Sequence, residues 1–131
     1  MEFINSAEAK ALRLPFSQAV RVGDVLYLSG ALGNRPGTLE LVPGGMEAET
    51  RQTMENIKAV LEENGLGMAD IFKCTVMLAD MSRWAEFNKV YVGCFDPDRL
   101  PARSAFGANG LALGALVELE CCAYIGNRPT A

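Results

Sequence analysis

The sequence predicts an α+β fold in which two helices pack on one face of a mixed β-sheet. Three observations point to it. Short β-rich segments are followed by a helical stretch, a strand, a second helical stretch and further strands. The hydrophobic period changes from about two to about 3.6 over the two helical stretches. The chain has 131 residues and is 50% hydrophobic, enough for the core of one ordinary domain with no room for a second. Residues 1–131 therefore read as a single domain.

The elements follow in order. Ala19-Val20-Arg21-Val22 and Val25-Leu26-Tyr27-Leu28-Ser29 read as a hairpin turning at Gly23-Asp24, with Gly30 ending the second strand. From Ala31 to Gly45 the breakers Gly33, Asn34, Pro36, Gly37, Pro43, Gly44 and Gly45 make a surface loop, with room for one short strand around Leu39–Leu41. From Glu47 to Glu63, Thr50, Met54, Ile57 and Leu61 share a stripe, with Val60 beside it. This is an amphipathic helix. Glu47 and Glu49 complement its dipole, and Asn64-Gly65 supplies a left-handed stop. Ile71 to Ala79 is almost continuously apolar and β-rich, as a central strand requires. The second helix runs from Ser82 to Phe95, with Trp84, Phe87, Tyr91 and Phe95 on one face and Asp80 or Ser82 as its cap; Asp96-Pro97-Asp98 ends it. A strand through Gly107, a loop at Asn109-Gly110 and a long strand from Ala115 to Ile125 complete the set.

Composition excludes several chemistries. There is no histidine, so Ser-His, Cys-His and His-metal arrangements are ruled out. With 12 Lys+Arg against 16 Asp+Glu the net charge is -4, which is no footprint for nucleic acid. Cys74, Cys94, Cys121 and Cys122 form neither a CxxC pair nor a zinc spacing and read as buried free thiols in a reducing compartment. The start of the chain lacks the pattern of a secretory signal, and no apolar run is long enough to span a membrane. The expectation is a cytoplasmic protein with neither nucleic-acid nor membrane partners.

The chemistry centres on Pro101-Ala102-Arg103-Ser104, which sets a permanently charged guanidinium among segments that read as apolar core strands. Its fork of donors suits a planar anion, although a surface arginine or a structural ion pair would also account for it. Pro101 fixes the approach of the chain. Ala102, Ser104 and Ala105 are small enough to leave space for a ligand. In the last strand a period of two puts Glu118, Glu120 and Cys122 on one side and Val117, Leu119 and Cys121 on the other. Glu120 reads as a solvated strand residue, whereas Glu118, near a bound water and an arginine, could orient or deprotonate that water. Ser29-Gly30 and Phe16-Ser17-Gln18 are turn chemistry when taken singly.

Taken in order, Pro15-Phe16-Ser17-Gln18-Ala19-Val20, Leu28-Ser29-Gly30, Thr50-Arg51-Gln52 through Glu55-Asn56, Lys73-Cys74-Thr75-Val76, Phe87-Asn88-Lys89-Val90-Tyr91, Pro101-Ala102-Arg103-Ser104 and Val117-Glu118-Leu119-Glu120 resemble the Rid/YjgF family, also known as L-PSP or reactive-intermediate deaminases. The resemblance spans nearly the whole chain. It implies a chorismate-mutase-like α+β subunit assembled as a homotrimer with clefts between subunits. It also implies hydrolysis of 2-imino (enamine) acids such as 2-iminobutanoate and 2-iminopropanoate to 2-oxo acids and ammonia, without cofactor or metal. Arg103 would bind the substrate carboxylate and Glu118 would help hold the water. Phe16, Ser29, Gly30, Asn88, Ser104 and Ala105 would complete the binding site.

The chain departs from the family pattern where many members have tyrosine in place of Phe16, cysteine in place of Ala105, Gln in place of Ala31, and Leu-Pro-Lys-Gly in place of Leu111-Ala112-Leu113-Gly114. The lost hydroxyl at Phe16 and the altered loop bear on substrate preference. A regulatory trimer that binds small carboxylates without catalysis is the alternative function. An endoribonuclease is a third, which the acidic charge and the missing histidine disfavour.

Overall fold

The computed structural model describes residues 1–126. Its centre is a six-stranded sheet. The strands are β1 (Glu2–Ile4), β2 (Ala19–Val22), β3 (Val25–Leu28), β4 (Ile71–Leu78), β5 (Ala102–Gly107) and β6 (Val117–Tyr124), and the helices are α1 (Ala7–Leu12), α2 (Met46–Glu63) and α3 (Trp84–Tyr91). The strand order is β1-β2-β3-β6-β4-β5. Only β4 and β5 pair in parallel. A parallel pair needs a crossover, and α3 lies within it.

The hairpin forms as the sequence predicts. Val22 pairs with Val25 across the two-residue turn, where Gly23 adopts a positive φ of 59°. α2 buries the predicted stripe of Thr50, Met54, Ile57 and Leu61 against the sheet. Leu26, Leu78, Phe87, Val117 and Leu119 join it in the core, each large side chain stabilising the fold by roughly 1.5–3 kcal/mol. In β6 burial alternates with period two: Val117, Leu119, Cys121 and Ala123 face the helices, and Glu118, Glu120, Cys122 and Tyr124 face away. All four cysteines are free, with Cys74 and Cys121 buried.

Several expectations need correction. A third helix, α1, precedes the hairpin, capped by the Ser6 hydroxyl, which accepts from the Ala9 N–H at 3.1 Å. Its six residues are too few for a periodic signal. The second predicted helix is α-helical only over Trp84–Tyr91, because both ends tighten into 3₁₀ turns at Met81–Arg83 and Val92–Cys94. Asp80 caps the first of these turns. No strand forms at Leu39–Leu41, only a single bridge between Asn34 and Leu41. This loop is pinned instead by Asn56 of α2, whose Nδ2 donates to the carbonyls of Leu32 and Asn34, each at 2.9 Å.

The setting of Arg103 also differs from expectation. β5 is an edge strand whose residues are exposed or half-buried, and it is not a core strand. It reads as apolar because Ala102, Ala105 and Phe106 punctuate it, with Ala102 and Phe106 on the face turned away from the helices. Tyr27, Phe106 and Tyr124 all lie exposed on that face.

Candidate functional site

Arg103 pairs in register with Cys74, and Cys74 with Cys121, so its side chain leaves the sheet on the helix-bearing face. It meets α3 there. Phe87, Asn88 and Tyr91 stand three, four and seven residues after Trp84 and so share the helix side nearest β5. The guanidinium carbon lies 4.7 Å from the centre of the Tyr91 ring, 4.9 Å from Trp84 and 5.7 Å from Phe87. Nη1 donates to Asn88 Oδ1 at 2.7 Å.

These rings hold the cation by their negative faces, and Asn88 fixes its rotation. Among the described residues Arg103 makes no ion pair, although Arg51, Lys58, Arg83 and Lys89 each find a carboxylate. A half-buried, oriented guanidinium with donors to spare has the geometry to receive a planar anion.

The groups beneath it remain neutral. Burial pushes the Cys74 thiol up to about 11, outweighing the opposing influence of Tyr91 and Arg103. Burial likewise raises Tyr91 and Cys121. The Tyr91 hydroxyl sits beside Cys74 without a well-formed hydrogen bond. None of these groups supplies a nucleophile at neutral pH.

Glu118 lies elsewhere. It pairs with Met77 on the sheet face turned away from the helices, a face it shares with Glu120, Thr75 and Ser104. Its carboxylate rests on the backbone of Gly30, occupying the place a Cβ would take. Partial burial, and then repulsion from Glu120, raise its pKa above the usual carboxylate range. Such a carboxyl is suited to proton exchange with a bound water.

Gly30 connects Glu118 to a cavity of about 230 Å3 between α1, α2 and the Ala31–Gly45 loop, which Phe16 and Ser29 also line. The Ser29 hydroxyl donates to the Ser17 carbonyl at 2.6 Å and keeps only acceptor capacity for a ligand. Phe16 is 51% exposed.

The structure thus places the predicted site residues in two groups. Asn88 and Arg103 meet on the helix face, and Ala105 projects from β5 to the same side. Phe16, Ser29, Gly30 and Glu118 gather around the mouth of the cavity and the opposite face, and Ser104 shares that opposite face. Within one chain, Arg103 and Glu118 do not converge. Trp84 and Tyr91 read from sequence as sharing one face of the second helix; their spacing with Asn88 is the available signal for an arginine cage. Among the described residues no cluster of His, Cys, Asp or Glu is arranged to hold a metal ion, and no helix is long and apolar enough to cross a membrane.

Residues 7–125 match the family model described as endoribonuclease L-PSP. The chain belongs to the Rid/YjgF family. It is 38% identical to the 2-iminobutanoate/2-iminopropanoate deaminase of Bos taurus over 130 residues, covering 99% of this chain and 94% of that one. It superposes on RidA from an Antarctic Psychrobacter with a TM-score of 0.86 at 39% identity, covering 95% of this chain and all of the other. The Escherichia coli YjgF gene product gives a TM-score of 0.84 at 31% identity over 98% of this chain and all of the other. The sheet order and the crossover through α3 are therefore those of a Rid subunit. Relatives that bear the name of imine deaminases align in sequence with nearly the full length of this chain.

Proposed function

We propose that this protein hydrolyses 2-imino acids, such as 2-iminobutanoate and 2-iminopropanoate, to 2-oxo acids and ammonia. One observation carries the reading above the others: Arg103 is held in an aromatic cage by Asn88 and has no carboxylate partner among the described residues. The substrate carboxylate supplies the missing anion. Fixing it orients the adjacent C=N carbon and draws electron density from it. Water adds to that carbon as nitrogen takes a proton, and the resulting carbinolamine expels ammonia to leave the 2-oxo acid. Glu118 orients the water and exchanges its proton, a role its raised pKa suits.

Because Arg103 and Glu118 leave opposite faces of one sheet, the site is completed between two copies of the chain. A homotrimer with clefts between subunits provides this arrangement. The exposed Tyr27, Phe106 and Tyr124 on the uncovered sheet face support such an assembly. A ribonuclease reading, which the family model's description raises, would need contacts to a phosphate backbone that a chain of net charge -4 disfavours.

The test is the rate of loss of 2-iminobutanoate released in situ by a dehydratase. Wild-type protein accelerates it, and Arg103→Ala loses at least about a hundredfold in kcat/KM, the scale of a charge-assisted bidentate contact. Undiminished activity in the variant overturns the mechanism. A wild type that binds 2-oxobutanoate without turning over the imine marks a regulatory carboxylate-binding protein instead.

A further inference from the structure

Two of the three rings around Arg103 are accounted for by the fold. Phe87 and Tyr91 belong to the buried core, where their ring centres lie 5.4 Å apart and Tyr91 meets Phe95 at 4.9 Å. Trp84 stands outside that cluster at the start of α3 and is 39% exposed. Its ring meets the Arg103 guanidinium instead.

Seven residues of helix separate Trp84 from Tyr91, a rise of about 10.5 Å. The guanidinium carbon is 4.9 Å from the Trp84 ring centre and 4.7 Å from that of Tyr91, so the cation lies between the two rings. Phe87 closes the space on the side of the helix, and Asn88 takes one Nη1 donor. An anion that reaches the remaining donors therefore enters a slot with a ring on either side. Both rings turn their faces to the cation, and those faces carry the negative part of the aromatic quadrupole. A carboxylate is flat and can lie along the slot with both oxygens on the guanidinium fork. A tetrahedral anion has an oxygen out of that plane, directed at a ring face that repels it.

We infer that Trp84 is the outer wall of an anion slot, where it positions Arg103 and makes the site select planar carboxylates over tetrahedral phosphonates and sulfonates of the same charge. This rests on Arg103 being the anion site of the deaminase reading above. Tyr91, at 3% exposure, is the fixed inner wall. Trp84 faces solvent, so it can be exchanged without opening the core. It acts on substrate through Arg103 and through exclusion of the wrong shape, and takes no part in the addition of water.

The test uses a pair of ligands that differ in the shape of the anion. Pyruvate carries a flat carboxylate; the singly charged methyl ester of acetylphosphonate keeps its methyl ketone and puts a tetrahedral group of equal charge in its place. Isothermal titration calorimetry on the intact protein is expected to show pyruvate binding at least about tenfold tighter than the phosphonate, a difference that rests on the built-in repulsion of the second. Trp84→Ala frees the guanidinium. The Kd for pyruvate should rise about fivefold, the scale of ordering one long side chain on binding, and the preference for pyruvate should close to within about twofold. Trp84→Phe restores a ring face and should recover both the Kd and the preference, which a merely structural role for the indole would not require.

A wild type that binds the two anions equally, a Trp84→Ala variant that keeps the preference, or a Trp84→Phe variant that fails to recover it overturns the slot. The deaminase is judged separately, by wild-type turnover of 2-iminobutanoate. Selective binding of pyruvate, lost in Trp84→Ala, in a protein that turns over no imine supports the slot while overturning the deaminase.

Discussion

Gly30 has no positive φ to explain it; it is glycine because the Glu118 carboxylate lies where its Cβ would be. Gly30→Ala should therefore push Glu118 off its seat and lower kcat/KM for imine hydrolysis by at least about tenfold, with an unchanged circular dichroism spectrum; full activity would separate Glu118 from catalysis. The same carboxyl predicts a pH dependence. Burial and Glu120 favour its protonated form in the folded protein, so its contribution to stability is held at low pH and lost as pH rises through the raised value. Under the proposed mechanism it acts as a base only when ionised. The acid limb of the kcat/KM profile should thus lie above the ordinary glutamate value of about 4.3. Glu120→Gln removes the repulsion and should move that limb to lower pH. A limb that stays in place would show that another group titrates.

The site depends on how α2, α3 and the loops are tied to the sheet. Glu49 of α2 is buried and accepts a hydrogen bond from the Leu116 N–H at 2.9 Å, joining the helix to the chain just before β6. Glu49→Ala leaves that backbone donor unpaired. A loss of roughly 1.5–3 kcal/mol is expected, read from the midpoint of urea unfolding; a change below about 0.5 kcal/mol would show that water replaces the carboxylate. Periodicity revealed α2 and the inner face of β6 because each buries a complete stripe. It overstated the α-helical extent of the second helix, since apolar spacing continues through 3₁₀ turns at its ends. It missed α1 for want of length.

At the scale of the whole molecule, one sheet face is covered by helices and the other carries exposed aromatic residues. Light scattering should give three times the 14.1 kDa mass of the chain. Tyr124→Asp, which puts a charge on that face, should weaken association, and imine hydrolysis per chain should fall with it. A fully active monomer would mean that Arg103 and Glu118 serve separate purposes.

The sequence by itself determined the α+β class, the central strands, the helix stripes and the family, because these depend on period, breakers and motif order along the chain. It also singled out Arg103 as a cation in search of an anion. Tertiary structure alone decided what surrounds that cation. Trp84 and Tyr91 close on it only because β5 runs parallel to β4 beside α3, and Glu118 departs on the other face because Met77 and Cys74 are three residues apart in β4, where side chains alternate. Which residues face each other depends on strand register and sheet order, and neither can be read from the spacing of residues in the chain.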